Sequence, residues 1–282
     1  AALQRALDDG APVDGRGDFG ETALIDAAGR GLPKVVRWLL EHGASTELED
    51  RGGRTALVSA CDSSDLNDPQ ARSLARGKRE AASLLLDHGA RIHVEGGSSS
   101  ALDAAVKGGD PGLVELLLSR GAGGKEALLR GLGGALAAGR KKVVSLLLSR
   151  GALDGQLPEN GPYLLHQAAW GGVFGAIKEL VKRGVDVNAA WEGDPPLVAA
   201  AEHNQILAMG LLLDSGARID ARGVGGETAL MQAAAACNVP AVRLLLMMGA
   251  KSGLKDDEGK TALGRSGCDD VAARLKAPAP SR

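Results

Sequence analysis

Aromatic side chains are scarce: Phe, Trp and Tyr together make up 2% of 282 residues. That shortage disfavours a β-sandwich, whose strands draw on aromatic and β-branched side chains. Charge of one sign is lacking as well, with 33 bases against 35 acids and a net charge of −2. No stretch gathers cations beyond Arg140, Lys141 and Lys142, so the electrostatic footprint of a nucleic-acid binder is missing. Cysteines are few and odd in number, namely Cys61, Cys237 and Cys268, with no Cys-x-x-Cys spacing. Such a set suits a reducing compartment better than a disulfide framework, so the expected location is the cytoplasm, with the nucleus as the alternative. No run approaches the roughly 18 apolar residues of a membrane span. The amino terminus also lacks a basic region followed by an apolar stretch, so membrane insertion is not expected.

What the chain does have is glycine, 41 residues of it, and recurring Ala and Leu. Self-comparison shows the order in them. An aliphatic run, two variable residues, Gly and a small residue recur as WLLEHGA ending at Ala44, LLLDHGA at Ala90, LLLSRGA at Ala122 and Ala152, ELVKRGV at Val185, LLLDSGA at Ala217 and LLLMMGA at Ala250. RALDDGA, ending at Ala11, is a further copy. The motif glycines are spaced by 33, 46, 32, 30, 33, 32 and 33 residues. A second landmark, Thr or Ser before Ala-Leu, stands upstream at Thr22, Thr55, Ser100 and Thr228, and Thr22–Gly43 and Thr228–Gly249 are both separated by 21 residues.

Val35, Val36, Leu39 and Leu40 fall on one face of a helix, and Gly43 stands where a left-handed cap ends it. Ala27 and Ala28 belong to a shorter preceding helix, where small side chains allow close packing on the next pair. Turn formers such as Glu49–Gly53 and Ala221–Gly226 read as protruding loops between units. These residues resemble the ankyrin repeat, with its turn, its T-P-L-H-x-A-A helix start and its second helix ending in L-L-x-x-G-A-D-V-N. The best copy runs from Pro162-Tyr163-Leu164-Leu165-His166-Gln167-Ala168-Ala169 to Gly184-Val185-Asp186-Val187-Asn188. The resemblance implies an all-α solenoid of helix-turn-helix units with protruding fingers, about seven full repeats plus partial terminal ones, forming a single array over residues 1–276.

The departures carry further expectations. A partial first repeat occupies residues 1–17, with a second helix over Ala2–Leu7. The 46-residue interval implies about 13 extra residues, placed between Cys61 and Ala81 as a projecting insertion at 62–80 whose polar composition and Pro69 fit a passive loop. Residues 123–152 lack a recognisable finger and are expected to form an irregular repeat, while 277–282 read as a disordered tail. Capping at both ends is incomplete, as in a piece of a longer protein.

Candidate chemistry does not converge. Gly259-Lys260-Thr261 lacks the glycine of a phosphate-binding loop, since Leu254 stands in its place, and the same slot holds Gly20-Glu21-Thr22 in an earlier unit. Gly131, Gly133 and Gly134 have the wrong spacing for a dinucleotide loop. Arg16-Gly17-Asp18 is a finger, as the later Arg222-Gly223-Val224 shows. His42 and His88 sit before the cap glycine, in the slot of Arg120, Arg150 and Arg183, where a cation suits the helix dipole. His166 matches the family's structural histidine, which braces the neighbouring turn. His93 and His203 stand alone, so no zinc site is expected. No catalytic residue, cofactor or metal is therefore assigned, and the chain is read as a non-enzyme.

The family binds proteins through finger tips and exposed first-helix faces, which line a concave groove. On this chain that implies Asp18, Phe19, Glu21 and Arg30, then Arg51, Arg54 and Asp62, then Lys107, Glu159, Asn160, Trp170, Trp191, Glu192, Asp194, Glu202 and His203. Trp170 and Trp191 are expected to hold an apolar anchor while the acids contact a basic segment. Phe19, Arg30, Arg51 and Arg54 are expected to meet an acidic or phosphorylated peptide. Trp38, whose place elsewhere is taken by Leu84, Leu116, Leu146, Leu211 and Leu244, is assigned to the core. Asp186-Val187-Asn188 resembles the loop that asparaginyl hydroxylases modify, which makes Asn188 a modification candidate beside its structural role. The expected function is a scaffold or adaptor, monomeric by itself, that binds another protein or peptide. The alternatives are the targeting or regulatory region of a larger enzyme or channel, or a pathogen effector of the same fold.

Overall fold

The structure is a computed structural model that describes residues 5, 8–62, 69–92, 100–155 and 159–276. The expected helix over Ala2–Leu7 lies largely outside them, and the tail 277–282 and His93 lie wholly outside. Sixteen α-helices, three isolated antiparallel bridges and no strand are found among the described residues. They group into two compact units, residues 1–152 and 153–282, each described by itself.

The first unit contains the helix pairs α1 (Ala23–Gly29) and α2 (Pro33–Glu41), α3 (Ala56–Cys61) and α4 (Pro69–Asp87), α5 (Ala101–Gly108) and α6 (Pro111–Ser119), α7 (Lys125–Ala137) and α8 (Lys141–Ser149). The second contains α9 (Gly161–Trp170) and α10 (Phe174–Lys182), α11 (Pro196–Glu202) and α12 (Ile206–Asp214), α13 (Ala229–Ala235) and α14 (Val239–Met247), and a short last pair, α15 (Ala262–Arg265) and α16 (Asp269–Lys276). Within each unit, first helices pack on first helices and second helices on second helices, which makes an all-α solenoid.

Both sequence landmarks are helix caps. The hydroxyls of Thr22, Thr55, Ser100, Thr228 and Thr261 accept a backbone N–H three residues on, satisfying a donor that the helix leaves orphaned. At the other end Gly43 takes φ 83°, and the next residue, Ala44, returns its N–H to Leu39 at 3.0 Å. Between the caps the aliphatic positions fill the core: Leu39, Leu85, Leu117, Leu147, Leu212 and Leu245 are all at most 2% exposed.

The insertion is not the projecting loop expected from its polar composition. From Pro69 onward it is helical and extends α4 to 19 residues, against 9 in α2 and α6. The extension packs on the first pair, where Gly31 (φ 59°) opens the turn between α1 and α2. A Cβ on Gly77 would collide with the Gly31 carbonyl oxygen. Arg79 holds the N-cap Asp110 of α6 at 3.3 Å. Residues 63–68 of the insertion lie outside the described residues.

The irregular repeat also resolves into a helix pair. Gly124 begins α7 without a side-chain cap, and a 13-residue helix replaces the finger. The expectation of unpaired cysteines is corrected in unit 2: Cys237 and Cys268 form a disulfide with Cα atoms 5.9 Å apart, and only Cys61 is free and buried. Spacing in sequence conceals this pairing, because the two cysteines meet through stacking of neighbouring pairs. Trp38 is corrected as well, being half-buried at the core's rim and stacked on His42 with ring centroids 4.0 Å apart.

Candidate partner-binding surfaces

Fingers are held to their neighbours before they present anything to a partner. In unit 1, Arg16 donates to its own finger at Gly20 O (3.0 Å) and to the next at Glu49 O (2.7 Å), while Arg51 N donates to Phe19 O at 3.0 Å. In unit 2, Arg222 makes the same pair of bonds to Gly226 O and Lys255 O. These braces leave the Phe19 ring 75% exposed at its tip.

Phe19, Arg30 and Arg54 come together around a groove of about 370 Å³, also lined by Asp26, Asp50 and Asp62, with Lys78 of the α4 extension as one wall. Arg30 pairs with Asp26 at 2.9 Å on an exposed face. Arg54 is less available than its sequence position implied, because Asp50 takes both its Nε and Nη2 at 2.9 Å and Asp62 lies 4.0 Å away. Arg51, on the finger beside the groove, has an exposed side chain with no ion pair among the described residues. Lys78 is 6% exposed and donates to Asp62 O, and burial pushes its amine below the usual lysine value against the pull of Asp62. The sequence placed Lys78 in a loop and so missed it.

In unit 2 the tryptophans form two aromatic pairs. Trp191, on the finger, meets Tyr163 of α9 edge-on with centroids 5.0 Å apart; Trp170, at the end of α9, meets His203 at the end of α11 at 4.4 Å. Both tryptophans are half-buried, and exposed Glu192 and Glu202 stand beside them, with Glu202 4.0 Å from His203. Asp194 differs from its expected partner-facing role: its carboxylate accepts Val224 N at 2.9 Å from the next finger, and its carbonyl lies 3.4 Å from His166 Nδ1. His166 thus braces the turn, as the family resemblance implies.

Asn188 is engaged at both ends of its amide. Its oxygen accepts Arg218 N at 2.7 Å and its nitrogen donates to Gly216 O at 3.3 Å. The same offset from the cap glycine puts Asp14 on Ser45 N, Glu47 on Arg91 N and Asp220 on Lys251 N, at 3.0 to 3.1 Å. This brace went unread in the sequence, although an acceptor four residues after the glycine is its signal.

Stacked helix pairs, capped at fixed positions and joined by fingers that bond across to one another, define a helical repeat protein built for surface contact. Its sequence places it further: the model for three-copy ankyrin repeats matches residues 2–71 and 132–223, and that for a single ankyrin repeat matches 225–257. The chain belongs to the ankyrin-repeat family. It is 38% identical over 101 residues to the B-cell lymphoma 3 protein homolog of Mus musculus, covering 35% of the chain and 22% of that protein. Over 95 residues it is 35% identical to the human ankyrin repeat and MYND domain-containing protein 1, covering 34% of the chain and 9% of that protein. It is also 29% identical over 250 residues to the ankyrin repeat and KH domain-containing protein mask-1 of Caenorhabditis elegans, covering 84% of the chain and 9% of that protein. The chain therefore spans 22% or less of the length of these relatives. Ankyrin repeats are generally protein-interaction modules, and the family is generally non-catalytic. No helix among the described residues is long and apolar enough to cross a membrane.

Proposed function

We propose that the chain is a scaffold or adaptor that binds another protein or peptide through the groove of its finger tips and first helices. The observation that carries this reading is the pair of aromatic contacts Trp191–Tyr163 and Trp170–His203, each beside an exposed glutamate. Rings already held by a neighbour lose little freedom on binding, and half-exposed tryptophans are the commonest interface anchors. An apolar anchor flanked by basic side chains fits them, with Glu192 and Glu202 meeting the cations. Phe19 and Arg51 are the second contact area, suited to an acidic or phosphorylated segment, with Arg30 and Arg54 available only in exchange for their carboxylates. The chain acts without catalysis or cofactor, as a monomer by itself, and without nucleic acid or membrane insertion; the cytoplasmic or nuclear location expected from unpaired cysteines loses that support with the Cys237–Cys268 disulfide.

Affinity capture from the native cell type tests the reading, comparing wild type with a Trp170→Ala, Trp191→Ala double variant whose fold is verified by circular dichroism. The expected result is a protein captured by wild type and lost by the variant. A partner that binds both equally removes the unit 2 groove from the reading and moves attention to Phe19 and Arg51. A second reading has the array as the binding region of a longer protein, favoured by the MYND and KH domains named in two much longer relatives. The full open reading frame decides it.

A further inference from the structure

Helix α12 reads Ile206-Leu207-Ala208-Met209-Gly210-Leu211-Leu212-Leu213-Asp214, apolar on every side until its last residue. A helix with that pattern is ordinarily covered all round, yet α12 is a second helix with one face in water. Leu207 is 73% exposed. In α2 and α8 the place of Leu207 is held by Lys34 and Lys142, and that of Gly210 by Arg37 and Ser145. The place of Gly210 is polar in the other second helices too, as Ser83, Glu115, Lys178 and Arg243 in α4, α6, α10 and α14, whereas that of Leu207 is Gly112, Gly175 and Pro240 in α6, α10 and α14, so it is at Gly210 that α12 stands apart.

Gly210 lies in the helix interior, where glycine costs stability relative to alanine. A Cβ added to it would meet nothing within 4 Å, so packing inside the chain does not require the bare backbone. The missing side chain opens a slot of about 550 Å³ walled by Phe174 of α10 and Leu244 of α14. Phe174 is 39% exposed, and Met247, at the end of α14, extends the apolar surface at 56%. Two exposed charges border the slot, Lys178 on α10 and Asp214 at the end of α12, and neither has a salt-bridge partner among the described residues.

We propose that this outer face docks an amphipathic helix of another protein, whose apolar ridge enters the slot over Gly210 and whose flanking acidic and basic side chains pair with Lys178 and Asp214. The slot accepts large aliphatic side chains spaced one helical turn apart, the pattern of a helix-in-groove ligand. The one cation and one anion at its border select a helix carrying both signs over one carrying either alone. This surface belongs to the second helices and is separate from the finger groove, so its fate and that of the finger groove are decided independently.

The test uses the full chain and a set of synthetic helical peptides that share one leucine ridge, flanked by Glu and Lys together, by Glu alone, by Lys alone or by Gln. Fluorescence anisotropy is expected to show the mixed-charge peptide binding about tenfold more tightly than the glutamine one, with single-sign peptides between. Gly210→Arg and Leu207→Lys introduce residue types found at these positions in sister helices, so the fold is kept, and each is expected to abolish binding. Lys178→Glu is expected to weaken the Glu-flanked peptide about tenfold and not the Lys-flanked one. Absence of binding by every peptide, equal affinity for the glutamine and mixed-charge peptides, or binding that survives Gly210→Arg overturns the proposal. Sedimentation showing self-association of wild type that Gly210→Arg removes also overturns it, since a second copy would then be the occupant.

Discussion

The side-chain oxygen of Asn188 accepts the backbone N–H of Arg218 at 2.7 Å, tying the loop after one cap glycine to the loop after the next. The amide is satisfied in both directions, and the companion positions Asp14, Glu47 and Asp220 make the same bond with a carboxylate. Replacing Asn188 by Ala is expected to cost about 0.5–1.5 kcal/mol, the net worth of hydrogen bonds on an exposed face where water can replace the lost acceptor of Arg218 N. Asn188→Asp retains the acceptor used elsewhere in the chain and is expected to cost less. Urea denaturation of the two variants separates them, and equal stability would mean the brace is idle. Asn188 is also a hydroxylation candidate by the family resemblance, and mass spectrometry of protein from its natural cell that finds no added oxygen on this residue removes the idea.

Gly77 meets Gly31 where the α4 extension crosses the first turn, and this contact predicts an inverted helix-propensity effect. Alanine at Gly77 would normally strengthen a helix by roughly 1 kcal/mol, but here its Cβ collides with the Gly31 carbonyl. The expected net result is a loss of about 1–3 kcal/mol, with faster hydrogen exchange along 73–80. A stabilised Gly77→Ala protein would show that the extension does not pack there.

Much of this architecture was legible because a repeat states its rule several times. Thr22, Thr55 and Ser100 recur at the capping position, and Gly43, Gly89 and Gly121 at the left-handed one, so local chemistry alone marked where the first helix of these pairs starts and where the second ends. The α4 extension was not legible, since its charges and Pro69 read as loop when taken without the surface that Gly31 and Gly77 bring together. The Cys237–Cys268 pair was hidden for the same reason, being a product of stacking rather than spacing. Among the candidate contact residues, sequence position could not show that Trp170 and Trp191 pair with His203 and Tyr163, or that Asp194 and Arg54 are already occupied.

Leu147 is fully buried in α8, in the stretch without a finger. Truncation to Ala removes core contacts that little rearrangement can replace, at an expected cost of about 2–5 kcal/mol, and loosens the adjacent pairs because each pair is supported by its neighbours. An unchanged denaturant midpoint would contradict the packing described for α7 and α8.

Acid should loosen the fingers through Asp50 and Asp256. Burial pushes the Asp50 carboxyl up, but the Arg54 N–H, the Arg54 side chain and the Gly52 N–H together hold it below the ordinary value. At Asp256 burial again acts upward and is outweighed by the Lys260 N–H and by Arg265. A carboxyl whose folded value is depressed contributes stability that is fully present above its unfolded value, about 3.9, and is lost as pH falls through the lower folded value. The thermal midpoint is therefore expected to decline once pH drops below about 4, and Asp50→Asn is expected to flatten part of that decline. A variant with the wild-type acid profile would exclude Asp50 as a contributor.

Reduction should act on the last helix pair alone. The disulfide joins Cys237, in the turn before α14, to Cys268, just ahead of α16, across 31 positions of sequence. Cys237 sits at φ 56°, a left-handed conformation disfavoured for residues other than glycine. The turn itself sets this conformation, since Gly31, Gly139, Gly172 and Asn204 take it in other pairs, and the link ties the short terminal pair to the turn between α13 and α14. Closing a loop of this length stabilises by about 2–4 kcal/mol, so Cys237→Ser is expected to speed hydrogen exchange over 262–276 while leaving unit 1 unchanged. Cys61 provides the internal control. It is fully buried, and that burial pushes its thiol up to about 12, so after mild reduction iodoacetamide is expected to label Cys237 and Cys268 but not Cys61. Labelling of Cys61 at the same rate would mean that the first unit opens as readily as the terminal pair, and the disulfide would then have no local role.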